Sequence, residues 1–156
     1  MAIINMITAI KKVHVSDVVF VKIGTFFHVY GKDAYIISFL SDYKIKKVEN
    51  IPSCGFPSNS INKIVAKLEE KKINYIIVDR RNNYDVDEKC DYKNLNSYNK
   101  IYEIARPIVS TRVRIENINN YLLNNINNKN INIKELLKNI EVIINERRKI
   151  QSNWLY

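Results

Sequence analysis

Residues 18–34, VVFVKIGTFFHVYGKDA, carry a β-branched apolar run into a glycine and out again through two adjacent phenylalanines, a histidine and a tyrosine. Asp17 to Ile23 has the composition of a buried strand. Gly24 and Thr25 make a two-residue connection, and Phe26 to Tyr30 runs back as the second arm of a hairpin. Successive strand residues point to opposite faces, so one ring of the Phe26–Phe27 pair enters a core and the other faces out.

Upstream, Ile4 to Val13 spaces apolar residues for a short amphipathic helix ending near His14, where the histidine serves as a cap or surface residue. Lys32 to Asp42 reads as a helix after Gly31, and Tyr43 to Val48 alternates lysine with apolar residues as a half-exposed strand. ENIPSCGFPSNS, residues 49–60, holds two of the three prolines and the last glycine, which predicts a shaped loop with at most one short strand. Ser58 or Ser60 then offers an N-cap to a helix with Ile61, Ile64, Val65 and Leu68 on one face, closed by Lys71 and Lys72. INYIIVD, residues 73–79, is a buried strand, residues 80–98 an exposed loop, and Lys100 to Val109 a strand interrupted by Pro107. Beyond it two apolar stripes, Ile115 to Ile126 and Ile133 to Ile144, flank the turn NNKNIN and predict a helical hairpin. Trp154 and Tyr156 at the tail are expected in a packing or oligomer contact. These elements alternate strands with helices, an α/β class, and end in a C-terminal helical hairpin.

The chain has 156 residues, 46% of them hydrophobic, which suits one compact core. Lys plus Arg number 25 against 16 Asp plus Glu, a net charge of +9 that attracts polyanions, nucleic acid first among them. The excess is spread along the chain, so only folding could gather it. Cys54 and Cys90 lack the number and spacing of a disulfide framework or zinc site and are expected as reduced thiols. No long uncharged apolar run or leader-like start is present, and a cytoplasmic protein with no membrane partner is expected.

Glycines stand only at 24, 31 and 55, too far apart for a phosphate-cradling loop. No G-x-S-x-G elbow accompanies His14 or His28. Asp79, Asp85, Asp87, Glu88 and Asp91 lie close together, yet a solvated loop explains them better than a nuclease metal site. A non-enzymatic protein without a cofactor is expected.

The stretch VVFVKIGTFFHVYGKDA resembles the start of the mismatch-recognition domain of the MutS mismatch-repair proteins, in which an apolar strand leads into a G-x-F-Y-E motif and a helix opens near Asp-Ala. IPSCGFPSNSINKIVAKLEEKKINYIIVDR, residues 51–80, is similar to that domain's second signature, a Gly-x-Pro loop followed by a helix and strand. KIYEIARPIVS, residues 100–110, resembles its closing strand and Thr-Pro turn, with Arg106 where threonine is usual. The resemblance runs from about residue 4 to about residue 112. It implies an α/β domain, a mixed β-sheet flanked by helices over residues 1–112 followed by the C-terminal helical hairpin over 113–156, that meets DNA from the minor-groove side. Gly24 takes the turn glycine, Phe26 the phenylalanine that stacks on a mispaired base, and Phe27 the tyrosine. His28 replaces the glutamate that hydrogen-bonds the displaced base, and an imidazole cannot reproduce an acceptor-only carboxylate. The expected contacts are Phe26, Phe27, His28 and Gly24, with phosphate contacts among Lys22, Lys32, Arg80, Arg81, Arg106, Arg112 and Arg114. The expected partner is DNA, with RNA or an RNA–DNA hybrid as alternatives. The resemblance also admits a stand-alone accessory protein, for example of a reverse transcriptase in a diversity-generating retroelement, with the C-terminal helices docking a partner or forming a homo-oligomer.

Overall fold

The computed structural model of the chain describes residues 3–93 and 95–153, so the tail aromatics Trp154 and Tyr156 lie outside the described residues. The elements run α1 (Ile3–Val13), β1 (Val18–Ile23), β2 (Phe26–Tyr30), α2 (Lys32–Ser41), β3 (Ile45–Val48), β4 (Ile51–Pro57), α3 (Ile61–Glu70), β5 (Tyr75–Asp79), β6 (Val86–Cys90), α4 (Leu95–Asn124) and α5 (Ile133–Asn153). Short 3-10 turns at Ser58–Ser60 and Arg80–Asn82 precede α3 and follow β5. All six strands share one sheet in the order β3-β4-β2-β1-β5-β6. β1 and β5 are parallel and the other pairs antiparallel, so the sheet is mixed.

Alternation along the strands assigns two faces. Phe20, Phe27, Val29, Phe56, Tyr75 and Ile77 point to one, under Ile36 and Ile37 of α2, Ile64 and Leu68 of α3 and Tyr98 and Ile101 of α4. Phe20 is its centre, edge-on to the rings of Phe27, Phe56 and Tyr75. Each such side chain contributes about 1.5–3 kcal/mol on full burial. Val19, Val21, Tyr30, Ile76 and Val78 point to the other face, against Ile7 of α1, which covers part of it.

Asp33, in the first turn of α2, is 1% exposed and fastens four elements. Its carboxylate accepts from Lys11 Nζ of α1 at 2.9 Å, from the Val19 backbone N–H of β1 at 3.0 Å and from the Tyr98 hydroxyl of α4. Lys11 also donates to the Asp17 carbonyl at 2.6 Å and lies over the Tyr98 ring. Burial raises the Asp33 pKa, against the opposing pull of Lys11, Tyr98 and the Val19 N–H.

Three expectations are corrected. Residues 51–57 are not a loop but a full strand between β3 and β2; Cys54 and Phe56 alternate into the core, and burial of these two outweighs the poor strand tendency of Pro52 and Gly55. Residues 80–98 are not one loop: β6 pairs antiparallel with β5, its side chains mostly exposed and charged as edge strands commonly are, and α4 begins at Leu95. Lys100 to Val109 is helix, not strand. Tyr98, Ile101, Ala105 and Val109 are buried at helical spacing, and Pro107 sits on the exposed side of α4, where the carbonyl deprived of its donor can turn to water. At the start of α3, Ser60 holds the cap position without a capping bond, its hydroxyl accepting instead from Tyr43.

The chain divides into two compact units, Met1–Val113 and Arg114–Tyr156. The first carries the sheet. In the second, Asn132 caps α5 by accepting from the Glu135 N–H at 3.1 Å while its amide donates back to the Glu135 carboxylate at 3.0 Å, a variant of the capping box. Leu136, Leu137, Val142, Ile143 and Ile144 of α5 are exposed, whereas Ile133 is buried.

Candidate nucleic-acid interface

Ile23 pairs with Phe26 across a two-residue turn. Gly24 supplies φ +61° and Thr25 is not in the left-handed region, the arrangement in which a type II′ hairpin places glycine first. The Thr25 carbonyl accepts from the Ser58 N–H at 2.9 Å, which ties the turn to the end of β4. Phe26 therefore opens β2 from a pinned turn, and its ring is 45% exposed. Phe27 is 5% exposed and packs on Phe56 at 5.9 Å between ring centroids. It was expected among the contact residues and is instead a core residue beneath the site.

Phe26, His28 and Tyr30 share the face opposite that core and form a row of rings, each 6.3 Å from the next between centroids. His28 is half-buried, and burial lowers its pKa, so the imidazole is neutral at neutral pH. Burial raises the Tyr30 phenol, as does Tyr84, while Arg80 lowers it.

The row continues sideways onto β4 and β3. His28 pairs with Gly55 and Tyr30 with Ser53, and Ser53 pairs in turn with Lys46. A side chain at Gly55 would place its Cβ 2.9 Å from His28 Nδ1, so the glycine is what lets the imidazole lie down over β4. Gly55→Ala is expected to cost about 1 kcal/mol, at the low end for overpacking because the ring can swing outward; unfolding curves and the His28 ring resonances check it. Phe26, His28, Lys44, Lys46, Val48, Ser53 and Gly55 line a depression of about 200 Å³. A second, more apolar hollow of about 380 Å³ lies beside α1, with Lys11, Lys12 and Lys32 in its wall; Lys11 is already engaged by Asp33 and Lys32 by the Tyr102 ring.

The expected cations are scattered. Arg80 lies in the turn after β5, near enough to Tyr30 to affect its phenol, with Arg81 beside it. Lys22 alternates with Val21 onto the opposite side, 3.8 Å from Asp79. Lys32 rests over the Tyr102 ring. Arg106 and Arg112 belong to α4, which packs on the core face, and Arg112 pairs with Asp42 at 2.9 Å. Arg114 opens the second unit. Of the expected set, then, only Arg80 is tied to the ring-bearing face by an interaction with one of its rings. Lys44 and Lys46, which sequence reasoning passed over, line the depression directly. Their signal was the alternation KIKKV, which sets Lys46 on the face of Ser53 once the strand pairing is known.

Among the described residues no three His, Cys, Asp or Glu side chains converge as metal ligands, and no helix is long and apolar enough to cross a membrane. Several acidic residues near β6 have structural partners: Glu88 accepts from the Tyr75 hydroxyl and Asp91 from the Asn74 amide.

No curated protein matches the sequence. The family profile described as MutS domain I matches residues 2–118, which includes all six strands, α1 to α3 and most of α4. A match over that share of the chain, on a mixed sheet that sets a glycine hairpin and its phenylalanine at an open face, identifies the protein as a member of the MutS domain I family.

Proposed function

We propose that this protein binds DNA without a catalytic step, stacking Phe26 on a mispaired or unpaired base. The observation that carries the proposal is the Phe26 ring, exposed at the head of β2 on a pinned turn, in a chain of the MutS domain I family. Intercalating rings cost least where a duplex is already mispaired or kinkable. His28 stands beside Phe26 where the resemblance calls for glutamate, and a neutral imidazole can donate one hydrogen bond and accept one. Lys44, Lys46 and Arg80 are the phosphate contacts best placed around the rings.

Equilibrium binding of matched, mismatched and bulged duplexes, single-stranded DNA and RNA across a salt series tests this. Affinity is expected to favour unpaired bases and to fall as salt rises, with a log–log slope of about −0.7 to −0.9 per phosphate neutralised. Equal affinity for matched duplex, or a salt-independent complex, would count against it.

A second function rests on the exposed apolar residues of α5, Val142, Ile143 and Ile144 among them, which suit a docking helix. It accommodates a homo-oligomer or an accessory role beside a partner such as a reverse transcriptase, and co-purification of such a partner with loss on Ile143→Asp would favour it.

A further inference from the structure

The site used by Phe26 does not end at that ring. His28 lies one step behind it on the same face, and across Gly55 the surface drops into the depression bordered by Lys44 and Lys46. At about 200 Å³ this hollow is smaller than the ~300–1,000 Å³ typical of small-molecule pockets, which suits one planar ring better than a whole cofactor. Its lining contains no carboxylate. The lysine-bearing strand is two strand spacings from the aromatic row, about 10 Å, so a base over His28 would hold its phosphates near the ammonium groups.

We infer that the β2-β4-β3 face carries a second nucleobase subsite, floored by His28 and Gly55 and bordered by Lys46, which selects nucleic acid with two or more consecutive unpaired nucleotides over a duplex with a single mismatch. The inference rests on the proposed stacking by Phe26 and adds a substrate class to it. A single extrahelical base leaves its neighbours held in the duplex stack, unable to follow it across the sheet, whereas a loop or single strand can lay a second base on the half-buried imidazole. The close seat of His28 on Gly55 keeps that floor low: a Cβ there would stand 2.9 Å from Nδ1. Neutral imidazole offers one donor and one acceptor, so the subsite tolerates different base edges.

The test measures binding of the full chain to a matched duplex, a single-mismatch duplex, a duplex with a three-nucleotide loop and a single strand, for wild type, Lys46→Glu and Arg106→Glu. Both substituted residues are exposed, and Arg106 makes the same change in charge on α4. Wild type is expected to prefer the loop and single strand over the single mismatch by about tenfold, on the scale of one further stacked base. Lys46→Glu is expected to erase that preference, while Arg106→Glu preserves it. Equal wild-type affinity for loop and single mismatch, or a preference that survives Lys46→Glu, overturns the second subsite and leaves Phe26 stacking in place. Absence of binding to every nucleic acid overturns both.

Discussion

Replacing Asp33 by alanine is expected to destabilise the first unit by about 3–5 kcal/mol, the cost of stripping one partner from a buried ion pair. That is a large share of the ~5–15 kcal/mol by which domains are stable. The loss does not come from the pair's own attraction. Burial raises the Asp33 pKa despite Lys11, so taking the charge out of water costs more than its neighbours return. The loss comes from what is left behind: an ammonium facing no anion, a Val19 N–H without an acceptor and a Tyr98 hydroxyl without its partner, all at the junction of α1, β1 and α4. Two controls separate these parts. Asp33→Asn keeps an acceptor for Val19 and is expected to lose less, and Lys11→Met added to Asp33→Ala is expected to recover part of the loss by removing the stranded charge. Urea unfolding with a common slope checks all three; a change of under about 1 kcal/mol for Asp33→Ala would show that the clasp is not what holds the helices to the sheet.

Phe26→Ala is expected to weaken binding to unpaired or mispaired DNA by about 5- to 150-fold, the equivalent of ~1–3 kcal/mol for one stacked base. Stability should move by no more than about 0.5 kcal/mol, because the ring is 45% exposed and its turn is held by Gly24 and the Thr25 carbonyl instead. Phe27→Ala reverses the pattern. It opens a cavity beneath the sheet against Phe20 and Phe56 and costs stability first. Affinity titrations beside thermal melts distinguish the two neighbours, and unchanged affinity for Phe26→Ala would remove stacking from the proposed function.

The hairpin, α3 and α5 were legible because each signal is local: a two-residue glycine turn for the first and an apolar stripe at helical spacing for each helix. β4 was hidden because Pro52 and Gly55 read as turn residues, although Cys54 and Phe56 between and beyond them are core. β6 has no apolar alternation to find, since its strand identity comes from backbone pairing with β5. α4 was obscured by Pro107, whose effect on a helix depends on which side of it meets water, and that side is set by what Tyr98, Ile101 and Ala105 pack against.

Patterns within about ten residues of one another decided the hairpin, the opposite facing of Phe26 and Phe27 and the motifs that carry the family resemblance, since strand alternation and turn chemistry act over that range. That Phe27 is the ring that enters the core was decided by the helices packed on that face. Which residues share the open face was decided by strand order. Placing β4 and β3 beside β2 brings Gly55, Lys44 and Lys46 to the aromatic row and leaves Arg106 and Arg112 on a helix over the other face. Charge counted along a chain carries no direction; pairing between distant strands supplies it.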